Sequence, residues 1–512
     1  MPKSLSARVV GCIRTRVRRA PLRSGARRRT ASALFVLALC PALSGCILGS
    51  ERPELNLDVP AAYRAGPKGA AADSAPPAVD WWRGFRSSEL TALMDAAQVY
   101  NYDIAVAIAQ IIQADAQVGV SGAALLPTIS GNASAERERT SGGSSGSLGG
   151  NVVSSGGTNL SIYSTGLTAS YILDFWGKNR ATLAASEESA TASRYNREVV
   201  TLTTMATVAN TYFTILAAQD QLRVTRQNLA AAERILALIK TQFAGGTASQ
   251  LDVSQQEALV ATERAAIPPL EVTRDQNIAA LAVLVGRAPA NFSVRGGSTG
   301  QIVVPRVTPG LPSELLYQRP DIRQAEATLA ASNFSVEAAR AAFFPQIQLT
   351  GTTGVQSTAL ASLFTPGAWF YTMTASLTQP IFDGFLLESQ LKQAKGVQLQ
   401  DLQSYRKAVI SAFSDVEKAL IALQQTSLQE KYLREDVLAS QMAFYLSEQQ
   451  LREGTVNLVT LLQTEQTLFQ AESQLVNAQL AHLQAAVSLF QALGGGWSPT
   501  EKVADATPPA KH

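Results

Sequence analysis

Three cysteines, two histidines and a charged fraction of 16% are what this 512-residue sequence has least of. Each scarcity closes a class of function. Two histidines, one of them the terminal His512, leave no Cys/His cluster for a metal. No phosphate-cradling glycine loop and no nucleophile elbow is present either. The chain is therefore read as a non-enzyme, with no catalytic residue and no metal. Beyond the N-terminus no apolar run is long enough to cross a bilayer as a helix, which argues against a helical membrane protein. Acidic residues are missing from residues 1–30, which carry ten basic ones, and residues 31–45 are uncharged. Without that segment 33 basic residues face 40 acidic ones, a net charge of −7, so no nucleic-acid partner is expected.

The basic start, the short apolar stretch Ala31 to Leu43 and the end Leu43-Ser44-Gly45-Cys46 read as a secretory signal over 1–45. The ending resembles the bacterial lipobox, which implies diacylglycerol and an N-acyl lipid on Cys46 and no other cofactor. Ile47 follows the cysteine, where an Asp would favour the inner membrane. Cys12 and Cys40 would leave with the signal, so no intramolecular disulfide is expected. Residues 46–79, rich in Ala, Pro and Gly, read as a tether between lipid and body.

The body repeats itself. Asn101-Tyr102-Asp103-Ile104 and Arg319-Pro320-Asp321-Ile322 lie 218 residues apart, as do Ala123-Ala124-Leu125-Leu126-Pro127 and Ala341-Ala342-Phe343-Phe344-Pro345. Later markers lie about 208 apart: Phe175-Trp176-Gly177 with Phe382-Asp383-Gly384, and Ala244-Gly245-Gly246-Thr247 with Arg452-Glu453-Gly454-Thr455. The longer Gly/Ser loop Ser141–Gly157 in the first half accounts for the change. Each half reads as helix, two strands, very long helix, turn, helix.

Alternation marks the strands. Leu167, Ala169, Tyr171 and Leu173 oppose Thr168 and Ser170, with Ile172 an exception. Trp369, Tyr371, Met373, Ala375 and Leu377 alternate with Phe370, Thr372, Thr374, Ser376 and Thr378. Such strands fit a soluble sandwich or a membrane barrel with a wet lumen; the lipobox favours the barrel. From Lys178 to Ala244 and from Leu386 to Arg452 proline is absent and glycine scarce, which predicts two helices of equal length. At about 1.5 Å per residue each spans roughly 100 Å. Val199, Leu202, Ala206, Ala209, Tyr212, Phe213 and Leu216 form one apolar stripe. Returning helices are expected over 249–285 and 458–493. Four strands cannot close a barrel, so a membrane-spanning version must be an oligomer.

With Asp80-Trp81-Trp82-Arg83-Gly84-Phe85, Leu173-Asp174-Phe175-Trp176-Gly177, Gln379-Pro380-Ile381-Phe382-Asp383-Gly384 and the ending Leu493-Gly494-Gly495-Gly496-Trp497 in order, the chain resembles the outer-membrane factor family. These are TolC-like efflux ducts, and the likeness is greatest to their NodT-type lipoprotein branch. The resemblance implies a mainly α fold with a membrane β-barrel. A homotrimer would close a twelve-stranded barrel, continued by a periplasmic α-helical barrel. It further implies a periplasmic adaptor, an inner-membrane pump and outer-membrane lipid as partners, in a Gram-negative cell. Loops near Ser141–Gly157 and Ser357–Gly367 would lie at the outer end. The periplasmic tip would hold Gly246, Asp252, Gly454, Leu458, Thr460 and Gln463, and Thr372, Thr374, Ser376 and Thr378 would face the lumen. The family's second turn often carries charges and a Tyr, where this chain has Val456, Thr460, Gln463 and Leu451, so a polar and an apolar tip closure both stay open. Trp81-Trp82 is expected to anchor the N-terminal segment to the outside of the tunnel, and Trp176 and Trp369 to sit near an aromatic belt.

The expected division is signal 1–45, tether 46–79, first repeat 80–300 (hairpin 127–176, tip turn 245–250), second repeat 301–497 (hairpin 345–383, tip turn 454–458) and tail 498–512. The expected function is a passive exit duct of a tripartite efflux system for small molecules such as drugs or toxic compounds. Alternatives are a duct for type I protein secretion and a non-channel periplasmic coiled-coil lipoprotein.

Overall fold

The computed structural model describes residues 53–57, 59–60, 62–65, 78–140, 158–307 and 310–497. The signal with Cys46, the Ser141–Gly157 loop and the 498–512 tail lie outside the described residues. The helices are α1 (Ser88–Tyr100), α2 (Tyr102–Ala123), α3 (Lys178–Ala244), α4 (Gln250–Leu284), α5 (Pro312–Gln318), α6 (Pro320–Ala341), α7 (Leu386–Arg452) and α8 (Leu458–Ala492). The strands are β1 (Thr128–Thr140) and β2 (Thr158–Leu173), between α2 and α3, and β3 (Gln346–Ser357) and β4 (Trp369–Thr378), between α6 and α7.

The long helices α3 and α7 are 67 residues each and start and stop where glycine predicts. Their N-termini are capped by aspartates left over from the strand ends. Asp174 accepts from the amides of Asn179 and Arg180 at 2.9 Å, and Asp383 accepts from Leu387 at 2.9 Å. These bonds satisfy amide groups that the helix cannot, and the carboxylates sit at the positive end of the helix dipole. The returning helix α4 runs through Pro268 and Pro269, although two amide donors are missing there.

The two halves fold back by one device used twice. The side chain of Asn101 donates to the last carbonyl of α4, Leu284, at 2.8 Å. Arg319, 218 residues on, donates to the last carbonyl of α8, Ala492, at 3.1 Å. Beside each bond a left-handed glycine lies against the backbone just before the second helix. A Cβ on Gly286 (φ +68°) would stand 2.3 Å from the Tyr100 carbonyl, and one on Gly494 (φ +74°) 2.3 Å from that of Gln318. Only glycine combines that approach with that backbone.

The principal core sits around this level. Trp81, Trp82 and Phe85, Leu90 and Met94 of α1, Phe213 and Leu216 of α3, and Phe490 of α8 are all buried together. Trp81 stacks on Phe490 at 5.1 Å. The Trp pair thus ties the N-terminal segment to the helices, with both rings buried. It enters the core because Ser87 caps α1, accepting from Leu90 at 3.2 Å, and turns the preceding 3₁₀ segment inward. Burial of each such side chain contributes about 1.5–3 kcal/mol. The predicted α3 stripe from Leu202 to Leu216 is buried as expected.

The linker between the halves is pinned by carboxylates. Buried Asp220 accepts from the Thr299 amide at 2.8 Å, the Thr299 hydroxyl at 2.7 Å and Ser298 at 3.1 Å. Glu89 accepts from the amides of Arg295 at 2.7 Å and Gly296 at 3.2 Å. Part of the proline-rich N-terminal stretch is clasped too. Arg406 of α7 donates to the carbonyls of Glu54 and Leu55 at 2.9 Å, and Glu417 accepts from the Ala65 amide at 2.8 Å.

Candidate functional site

The four strands form one antiparallel sheet in the order β1-β2-β3-β4. Its register sorts side chains by chemistry. On one face Ile347 lies opposite Leu377, Leu349 opposite both Tyr171 and Ala375, and Val355 opposite Trp369. On the other, Thr350 faces Thr374, Thr352 faces Thr372, Gln348 faces Ser376 and Gln346 faces Thr378. Thr372, Thr374, Ser376 and Thr378 therefore share one hydroxyl-rich face. Hydrogen bonds cross it, between Ser134 and Ser164 at 2.8 Å and from Gln348 to Ser170 at 2.9 Å. The sequence exception Ile172 lies on this face, opposite Gln348.

Among the described residues nothing covers either face. Nine of the ten β4 residues are exposed, Met373 to 85% and Leu377 to 66%. An apolar face left open to water is costly, and β1 and β4 are unpaired edges. A soluble sandwich would bury one of these faces against a second layer. This sheet has the faces of a barrel wall, apolar on one side and wet on the other.

Aromatic side chains mark both ends of the sheet. Trp369, 61% exposed, opens β4 beside the Ser357–Gly367 loop, with Tyr371 at 5.4 Å. At the helix end Phe175, Ile381, Phe382 and Phe385 are exposed. Trp176 is tucked in, stacked on Phe344 at 4.6 Å and donating to the Pro345 carbonyl at 2.8 Å. Trp369 and Phe175 thus fit interfacial belts, and Trp176 fixes the joint between sheet and helices.

At the far ends of the long helices lie two matching turns. Gly246 (φ +77°) and Gly454 (φ +72°) take the left-handed conformation that ends α3 and α7. Thr247 and Thr455 each return an amide bond to the preceding helix at 2.9 Å. Asp252 accepts from the amide and hydroxyl of Ser249 at 2.7 and 2.8 Å, while the Asp252 amide donates back to the Ser249 hydroxyl. It closes a capping box for α4. Thr460 donates through amide and hydroxyl to Asn457, the cap of α8. Leu458 is buried with Ile235, Ile239, Val253, Leu451 and Leu461. Gln463 is exposed and apart from them. Leu458 thus joins a buried apolar cluster, and Asp252 and Thr460 serve the caps of their own helices.

Sequence reading passed over a buried polar pair beside this cluster. Gln256 of α4 and Glu465 of α8 are both fully buried, and the amide nitrogen of Gln256 donates to the Ala232 carbonyl at 3.1 Å and to Glu465 at 3.4 Å. The signal was Glu465, Glu472 and Gln479, three polar residues at heptad spacing from Leu458. Among the described residues no cluster of His, Cys, Asp or Glu could hold a metal ion.

Comparison with known proteins agrees with this geometry. The family model described as "Outer membrane efflux protein" matches residues 93–287 and 311–495, one match per repeat. The pyoverdine export outer membrane protein OpmQ of Pseudomonas aeruginosa is 35% identical over 467 residues, covering 91% of this chain and 97% of that protein. The cation efflux system protein CusC of Escherichia coli is 30% identical, covering 90% and 98%. Among solved structures, the open-state MtrE outer membrane channel of Neisseria gonorrhoeae superposes with a TM-score of 0.75 at 30% identity, covering 87% of this chain and 97% of that one.

Proposed function

Because the chain belongs to the outer membrane efflux protein family, we propose that it works as the outer-membrane exit duct of a tripartite efflux system, passing small molecules such as drugs or toxic compounds. The observation that carries this is the sheet: four strands with an apolar and a hydroxyl face, both uncovered among the described residues, running directly into 67-residue helices. Three copies, each supplying four strands, close the edges into a barrel of twelve. The helices continue that wall into the periplasm. Neutral Thr and Ser cover most of the inner face, with Glu136 and Glu138 of β1 on the same face towards the loop end; selection then falls mainly to the inner-membrane pump and the periplasmic adaptor. The chain contributes a path and a closable tip, with no catalytic step.

Cys46 carries the lipid in this reading. At the tip the reading favours apolar closure, with Leu458 in the buried cluster; Asp252, Thr460 and Gln463 act through caps and surface.

Reconstitution of the full lipidated chain in planar bilayers is the test. A conducting trimer is expected. A chain that stays monomeric in detergent and never conducts would overturn the duct and favour a periplasmic scaffold.

A further inference from the structure

Seven residues into α8, about 10 Å from the tip turn, Glu465 is fully buried. Its Oε1 has no hydrogen-bond partner among the described residues, and neither does Oε1 of Gln256. Two orphaned acceptors in one touching pair are chemically informative. The Gln256 amide already uses both its N–H groups, on the Ala232 carbonyl and on Glu465 Oε2. One proton on Glu465 Oε1, donated to Gln256 Oε1, would satisfy every polar atom of the pair. An ionised Glu465 would leave both oxygens without a partner in a buried site.

The internal repeat says the same from another direction. Between α3 and α4, ion pairs recur every seven residues: Lys240 with Glu257 at 2.8 Å, Glu233 with Arg264 at 2.7 Å and Arg226 with Glu271 at 2.8 Å. Moved 208 residues on, these stations become Glu448 with Glu465, Gln441 with Glu472 and Arg434 with Gln479. The station nearest the tip has exchanged a lysine for an acid, and the next has lost its cation. Charged groups acting on Glu465 are Arg234 on α3, Glu263 on α4 and Glu448 on α7, two acids against one exposed cation. Glu448 is itself paired with Arg452. Apolar packing encloses the pair, with the Leu458 cluster on the tip side and Ala232, Leu259 and Val260 beside it.

We propose that the packed tip holds Glu465 as the neutral acid, bonded at two points to Gln256, so that loosening the α4–α8 joint releases a proton and is opposed by acid. Burial, with Glu263 and Glu448 adding to it, pushes the carboxyl up from 4.5 to about 7. Once the joint opens and water enters, the ordinary value returns. The latch is therefore tightest below the lower value and is lost as pH rises towards the higher one. Between the two, each pH unit raises the open fraction by up to about tenfold, and above the higher value the effect levels off. The acid-tightened latch rests on the duct reading for its purpose, but not for its measurement.

The test is hydrogen exchange of the intact membrane-extracted protein between about pH 5 and about pH 8, corrected for the intrinsic rate of amide exchange. Wild type should lose protection at residues 253–260 and 461–468 as pH rises, and to a lesser degree elsewhere in α3 and α7. Glu465→Gln, which completes the same two-point pair without a titrating proton, should give a flat profile. Glu448→Lys, which recreates the first repeat's Lys–Glu station, should also flatten it. Variant profiles that keep the wild-type slope would overturn the proposal. If neither variant assembles, a wild-type profile that is flat at these two segments overturns it by itself. Conductance is recorded on the same samples, so a failed latch and a failed duct are told apart.

Discussion

Substituting arginine at two neighbouring positions of β4 separates a barrel wall from a soluble sheet. Met373 is the fifth of ten residues in the strand, and Thr374 follows it on the opposite face. Both are exposed in the single chain, so a sheet in water would tolerate either change within about 0.5 kcal/mol. Ten residues extend about 33 Å, and a tilt near 40° reduces this to about 25 Å, the height of a barrel's apolar band. Met373 then lies near the bilayer midplane, beside Gly351 across the strand pair. Arg at that depth costs about 2–4 kcal/mol, whereas a lumen position carries no such penalty. That is a roughly thirty-fold to nearly thousand-fold loss in the folded ratio for Met373→Arg. The assay is the yield of heat-modifiable oligomer in the outer-membrane fraction, with bilayer conductance on what assembles. Met373→Arg should assemble poorly. Thr374→Arg should assemble normally and shift ion selectivity towards anions. Equal behaviour of the two variants would refute the assignment of faces.

The joint between repeats offers a backbone test. Gly494→Ala places a side chain at φ +74° and 2.3 Å from the Gln318 carbonyl, costing more than about 2 kcal/mol, while Gly245→Ala, at φ −82° with its nearest neighbour at 3.5 Å, should be neutral or slightly stabilising; thermal unfolding of the two variants decides. Asp220→Ala strands the Thr299 and Ser298 donors in a buried site and should cost about 2–3 kcal/mol, read as faster proteolysis within 286–307; an unchanged cleavage rate would show that the pin is idle.

What sequence made legible was whatever repeats over many residues. The long helices could be bounded because glycine and proline are punctuation that needs no tertiary context. The strand faces could be sorted because alternation survives exposure. Single residues were harder. Trp81 and Trp82 read as anchors, but sequence alone does not show that Trp81 stacks on Phe490. Asp252 reads in sequence as a tip residue, and only the bonds to Ser249 show where its carboxylate is spent. Glu465 looks like an ordinary surface acid. Its burial follows from the helix opposite, and its missing cation emerges only when the two repeats are overlaid. The Pro268–Pro269 crossing in α4 goes against local propensity, overridden by packing along α3.

The same overlay predicts how copies meet. Leu202, Phe213 and Val224 of α3, spaced eleven apart, are buried, and Val224 clusters with Val476 and Leu480 of α8. Their equivalents in α7, Ile410, Ile421 and Tyr432, are 65%, 47% and 60% exposed. An eleven-residue step is 3.67 residues per turn, so the stripe stays nearly straight along the helix and suits one long partner. If three chains of two repeats make a quasi-sixfold wall, α7 must receive α4 of the next copy as α3 receives α8. The equivalents of Val476 and Leu480 are Pro268 and Val272, and Val272 is 53% exposed. Tyr432 should therefore meet Val272 of the neighbouring copy. The mature chain is expected to have no free thiol, its one cysteine being lipidated, so Tyr432→Cys combined with Val272→Cys can be read cleanly. Mild oxidation should link copies into a covalent trimer on a denaturing gel, while either single variant should stay monomeric. A double variant that assembles but forms no link between copies would show that the repeats do not pack equivalently, and that the wall closes by another arrangement.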